Sequence, residues 1–217
     1  MSQRILTISL SVGLSMALVV LVSAMTSWRL PDNDQGYTPR QPIEFSHQLH
    51  AGELQINCQF CHTGAATSRY AGIPSSEICM KCHTLVTCGF DVLQEERKRA
   101  DEEQRDPAPP ISDELRKLYK SLGLDDSIKP RPGIEAQPID WVQVHNLPDY
   151  VYFDHSAHVS AGVTCQHCHG PVESMRRMRQ QESLSMGWCV NCHRDATANG
   201  VAGQPVEART NCSVCHY

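Results

Sequence analysis

Aromatic residues are scarce, at 6% of the 217 residues. Long apolar runs are missing too, apart from one near the N-terminus. Such a chain has little from which to build a large aliphatic core, although a domain of this size must bury well over half of its surface. No long strand pattern is present, which sets sheet architectures aside. Positive charge is in deficit, with 19 Lys and Arg against 24 Asp and Glu and a formal net charge of −5. That excludes nucleic acid as a partner, since its phosphates call for a basic face. No cysteine lies near the N-terminus to carry a lipid anchor.

Cysteine and histidine are present in number, eleven of each. Ten cysteines form five C-x-x-C pairs, and a histidine follows each pair: Cys58-Cys61-His62, Cys79-Cys82-His83, Cys165-Cys168-His169, Cys189-Cys192-His193 and Cys212-Cys215-His216. Zinc sites also use paired C-x-x-C, and disulfides pair cysteines, but neither requires the histidine. With histidine at 11 of 217 positions, five such neighbours are not a coincidence. C-x-x-C-H is the attachment signature of c-type haem. Two thiols add to the haem vinyl groups, and the adjoining histidine is delivered to one face of the iron. The spacing of three sets both sulfurs on one side of a helical turn. Five covalently bound haem c groups are expected, with His62, His83, His169, His193 and His216 as proximal ligands. Cys88 stands outside the pattern and reads as a small packed residue.

A second pattern precedes the motifs twice. F-x-H-x-x-H runs from Phe45 to His50 in "FSHQLH" and from Phe153 to His158 in "FDHSAH". A haem iron with a proximal histidine has a sixth position, which electron-transfer sites fill with histidine or methionine. His47, His50, His155 and His158 are the candidates. Histidines three apart occupy neighbouring positions of one turn, so each can serve a different iron. Neither repeat leaves a ligand for the fifth haem. His145, in "VQVHNLPDY", is the leading candidate; Met175 or Met178, in "ESMRRMRQQESLSM", is the competing one. Core packing is the commoner role of methionine, and His167 is committed to its own haem motif. Five regular motifs with ample distal ligands suit an electron wire. A catalyst or a gas sensor keeps an iron open, so the chain reads as an electron-transfer subunit and not an enzyme.

F-x-H-x-x-H ahead of C-x-x-C-H resembles the small multihaem cytochromes of the c7/c3 type. There the first distal histidine serves the nearest haem and the second a neighbour. On that resemblance His47 pairs with His62, His50 with His83, His155 with His169 and His158 with His193. "PIEFSHQLHAGELQINCQFCH", "AGIPSSEICMKCH", "LPDYVYFDHSAHV" and "SLSMGWCVNCH" together resemble the membrane-anchored pentahaem subunit of alternative complex III. This covers about residues 40–217 except the middle linker. The resemblance implies a bacterial respiratory complex that oxidises quinol, with membrane and periplasmic subunits as partners. Its electrons go to a periplasmic mono-haem cytochrome c or a terminal oxidase. Anchored tetrahaem quinol dehydrogenases, which feed periplasmic reductases, share only the layout.

The one apolar run is "ILTISLSVGLSMALVVLVSAM", Ile5 to Met25, which carries no charge. At 1.5 Å per residue it is long enough to cross a bilayer. Arg4 precedes it, and Trp28 with Arg29 follows as an interfacial anchor would. A secretory signal cleaved after "VSA", Val22–Ala24, is the rival reading. The expected location is the bacterial inner membrane, single-pass, with the haem domain on the periplasmic side. The expected organisation is an anchor over 1–29, a Pro- and turn-rich spacer over 30–42 and a two-haem module over 43–90. A charged, Pro-rich haem-free insert follows over 91–140, then a three-haem module over 141–217. The insert includes "SDELRKLYKSLGL", a short amphipathic helix capped by Ser112 or Asp113, and reads as a docking arm more than a linker. The expected fold is mainly α with much irregular structure: short helices packed around haems, plus one N-terminal transmembrane helix.

Overall fold

The computed structural model describes residues 3–27 and 34–216, with the side chains of 4, 6 and 24–27 excepted. The expected flanks of the apolar run, the Arg4 side chain and the whole of Trp28 and Arg29, lie outside the described residues. So do residues 30–33 of the spacer.

Nine α-helices and much irregular chain make up the described residues, with no strand beyond isolated bridges. Helix α1, Gln3–Ser27, contains the apolar run. Its described side chains between Ile5 and Val22 are exposed. Its hydroxyls turn inward along the helix: Thr7 Oγ1 donates to the Gln3 carbonyl, Ser9 to Ile5, Ser11 to Thr7 and Ser15 to Ser11, each at 2.9 Å. Such back-bonding satisfies a hydroxyl without water. Among the described residues no helix is long and apolar enough to cross a membrane. The run Ile5–Met25 is followed there only in part, because the side chains of 6, 24 and 25 are outside the description.

The haem motifs form helices. Three are single turns: α2, Cys58–Cys61; α7, Cys165–His169; and α9, Cys212–Cys215. Two lie in longer helices, α3, Ser76–His83, and α8, Met186–Asn199. Each is entered from a polar residue in extended conformation: Asn57, Ser75, Thr164, Ser185 or Asn211. Asn57 and Ser185 cap through their side chains, accepting from the Gln59 and Trp188 amides at 2.9 and 3.3 Å. This is the standard way to satisfy the free amides of a first turn. Gly170, at φ 72°, ends α7, and a Cβ there would also meet the Gln181 side chain.

The haem-free insert is not a free arm. Helix α4, Phe90–Glu102, is followed by a reversal pinned by Glu96. The Glu96 carboxylate accepts from Arg105 Nη1 at 2.6 Å and from the Ala108 amide at 2.9 Å. The Arg105 hydrogen bond holds its carboxyl down to about 2. Helix α5, Asp113–Ser121, is capped by Ser112, which accepts from the Leu115 amide. Its buried face presents Leu118 and Tyr119. The Tyr119 hydroxyl donates to the His83 carbonyl at 2.6 Å, so α5 sits back on the second haem motif. Glu114 Oε2 also accepts from the Glu44 amide at 2.7 Å. The amphipathic face read from the sequence thus packs, at least in α5, against its own chain.

Few apolar side chains are buried among the described residues: Ala65, Ala100, Leu118, Tyr119, Met175 and Ala196. Gln180 is the buried polar centre of the C-terminal half. Its backbone pairs with Gly36 and Tyr37, and its side-chain amide donates to the Glu182 carbonyl at 3.0 Å. Polypeptide alone supplies only a thin core, in keeping with the composition.

Candidate haem sites

The two F-x-H-x-x-H segments form matching constellations. The second lies on α6, His155–Ser160, capped by Asp154 through the Ser156 and Ala157 amides. The first runs into a π-helical turn, Gln48–Glu53. Seven residues separate His50 from Cys58, whereas six separate His158 from Cys165. A wider turn is a known way for a helix to absorb one extra residue.

In each segment the phenylalanine fixes both histidines. The Phe45 ring meets His47 edge-on at 4.9 Å and lies over His50 at 4.3 Å. Phe153 meets His155 edge-on at 4.8 Å and lies over His158 at 4.6 Å. The sequence reading gave these phenylalanines no role. Their place in the repeat was the available signal.

Across from each of these histidines stands the ring of a motif histidine. His47 and His62 are 6.5 Å apart between ring centres with planes 6° from parallel. His155 and His169 are 6.3 Å apart at 3°. His50 and His83 are 6.2 Å apart at 63°, and His158 and His193 are 6.0 Å apart at 42°. A metal ion held between two imidazole nitrogens, with bonds of about 2.0 Å, leaves the ring centres roughly 6–6.5 Å apart. The spacing fits an iron with two axial histidines.

The ring nitrogens are oriented for that task. His62, His83 and His193 each place Nδ1 2.7 Å from a backbone carbonyl, of Gly72, Val86 and Arg209. His50 and His155 do so at 2.9 Å, to Ser46 and Arg69, and His158 at 2.8 Å, to Asp154. A carbonyl can only accept, so Nδ1 carries the proton and Nε2 keeps its lone pair for a metal. His47 Nδ1 is buried without a hydrogen-bond partner. Burial, with neighbouring histidines, pushes His47 down to about 4 and His169 to about 3. Both are neutral at pH 7, the state in which imidazole ligates.

His145 departs from the sequence reading, which sets it across from His216. Its Nε2 lies 3.2 Å from Nδ1 of His169, ring centres 4.4 Å apart at 85°. Burial, then His155, pushes His145 down to about 4, so it stands as a neutral acceptor for the His169 Nδ1 proton. An acceptor there would give His169 more anionic character and, were it to hold a haem iron, would lower that iron's potential. His145→Ala is expected to raise one haem potential by on the order of tens of millivolts, without new carbon monoxide binding. Spectroelectrochemical titration reads the first and a carbon monoxide difference spectrum the second. A newly reactive site would instead make His145 an iron ligand.

The ring that faces His216 is that of Tyr150, at 5.7 Å and 29°. Met175 is buried, with its carbonyl accepting from the Gln48 amide at 3.0 Å, while Met178 is half-buried. His167 lies 3.4 Å from Cys192 Sγ and 5.7 Å from the Trp188 ring. Cys88 is half-buried.

Comparison with known proteins agrees with this chemistry. Residues 151–217 match the family of cytochrome c7 and related cytochrome c. The chain is similar to the menaquinone reductase multiheme cytochrome c subunit of Nitratidesulfovibrio vulgaris. Identity is 26% over 196 residues, covering 81% of this chain and 76% of that protein. Motifs, ring pairs and both likenesses together describe a multihaem c-type cytochrome.

Proposed function

We propose that the chain is a five-haem electron relay of a quinol-oxidising respiratory complex of the alternative complex III kind. It is held in the bacterial inner membrane by α1, with its haem domain on the periplasmic side. A periplasmic mono-haem cytochrome c or a terminal oxidase takes its electrons. The four histidine pairs carry this reading: at those four sites the chain would supply a ligand from each side of a haem, which suits electron transfer and would leave no position open to substrate.

Each haem, when bound, supplies a one-electron iron couple. The chain's residues do the rest. Ten cysteines would tether the groups, and His62, His83, His169, His193 and His216 would each hold one. His47, His50, His155 and His158 would supply a second ligand at four of them. The backbone carbonyls at Nδ1 fix ring orientation, and burial keeps the rings neutral.

The named relative is a subunit of a menaquinone reductase. That favours, as the second reading, the same relay run toward quinone. The proposal is tested by intact-protein mass spectrometry of the denatured chain, which is expected to show five haem additions. Zinc with no haem would end the proposal. Of the two directions, reduction of the purified complex by a quinol analogue supports the first. Oxidation of the pre-reduced complex by a quinone, with no reduction by quinol, supports the second.

A further inference from the structure

We propose that the five attachment sites form one unbranched row in the spatial order His83, His62, His169, His193, His216, so that the first motif of the sequence is second in space. This rests on the five-haem reading and adds the path, which the motif order alone does not give.

Contacts between motifs support each step. Between the His83 and His62 sites, Lys81 Nζ lies over the Phe60 ring at 5.9 Å, and Cys61 is beside Cys79 and Cys82. Between the His62 and His169 sites, the Cys58 and Cys165 side chains lie beside one another. Between the His169 and His193 sites, His167 reaches Cys192 Sγ, and Cys168 is beside Cys189 and Cys192. The last step joins His193 to the chain leading into the fifth motif. Its Nδ1 faces the Arg209 carbonyl, Thr197 Oγ1 and the Ala208 backbone bond in both directions, and Cys189 is beside Cys215.

The central step is the best built, because the two modules hold each other reciprocally. The π-helical turn of the first module packs on the loop after the third motif. There the Gln48 amide donates to the Met175 carbonyl, and a Cβ at Gly52 would run into the Glu173 carbonyl. In return, the start of α6 packs on the loop after the first motif. The His155 and Ser156 amides donate to the Arg69 and Ser68 carbonyls, both at 3.2 Å. Each distal segment is thus seated on the other module's proximal loop, with Cys58 and Cys165 between them. The parallel ring pairs are the two at this junction, His47–His62 and His155–His169.

One contact competes with the last step. Val151 bridges to His216, and the Tyr152 amide donates to the Cys215 carbonyl at 2.7 Å. These residues precede Phe153, which touches both His155 and His158. The fifth site could on that contact branch from the His169 site. The His193–Arg209 link decides for the row, because it joins an axial ring directly to the fifth motif's own lead-in.

The test is an electron cryomicroscopy structure of the haem-loaded protein in its complex, read as iron-to-iron distances. The expected nearest neighbours are 83–62, 62–169, 169–193 and 193–216. An iron at His216 nearer to that of His169 than to that of His193 overturns the row, as does an iron at His83 nearer to any site other than His62. Five haems in another order would sink the row and leave the five-haem reading standing. Fewer than five would sink both.

Discussion

Replacing His155 by alanine is expected to open one haem to carbon monoxide and to raise its potential by on the order of 100 mV or more. The ring removed faces His169 at 6.3 Å and nearly parallel, with its Nδ1 anchored to the Arg69 carbonyl. No neighbour is placed to take over. His145 sits against Nδ1 of His169, away from the Nε2 that would face the iron. His158 is engaged across from His193. Loss of one strong axial donor destabilises the oxidised iron relative to the reduced one, hence the upward shift. His155→Met should raise the potential while keeping the site closed, which separates ligation from mere disturbance of the fold. An unchanged carbon monoxide difference spectrum in His155→Ala would reject the assignment.

Deletion of residues 1–28 is expected to release soluble, haem-loaded protein and to abolish reduction by quinol, while dithionite still reduces every haem. On the proposed reading the anchor is helix α1, which runs 25 residues and contains the apolar run. Many of its exposed side chains are apolar, and the hydroxyls of Thr7, Ser9, Ser11 and Ser15 bond to its own carbonyls. A single helix gives few walls for a quinone pocket, since such sites are concave and bury most of their ligand. On the proposed function the quinol site would lie in a partner subunit and be reached only when the relay is held beside it. Full-rate quinol oxidation by the released form would refute the dependence on partners. Membrane association that persisted after the deletion would remove α1 as the sole anchor.

The parts of the site that lie close along the chain were legible. C-x-x-C-H fixes two sulfurs and a ring within one turn, and F-x-H-x-x-H fixes two rings one turn apart. The four histidine pairs whose ring centres stand 6.0–6.5 Å apart join the same residues that the resemblance to c7/c3 cytochromes would pair at an iron. What the spacing did not convey depends on distant backbone. Nothing in "VQVHNLPDY" says that His145 will find Nδ1 of His169, 24 residues on. The return of Tyr119 to the His83 carbonyl spans 36 residues, so an amphipathic helix that looked available for a partner was already engaged. The π-helical turn was nearer to hand: the one-residue difference between the two repeats was visible, but its accommodation as a wider turn was not.

On the proposed periplasmic placement, the reciprocal seating of the two modules would bear on how the protein matures during export. The turn that carries the first module's histidines is held through Gln48 and Gly52 against Met175 and Glu173, more than a hundred positions after His50 in the chain. Cys58 and Cys61 can receive their haem as soon as they cross the membrane, but His47 gains its final seat only when the third motif has arrived. Thioether formation and axial closure are then separate events, the first local and vectorial, the second collective and late. Until that moment tethered haems would lack a settled second ligand, and a chain arrested in the insert would carry two cofactors yet lack the seat that closes the first.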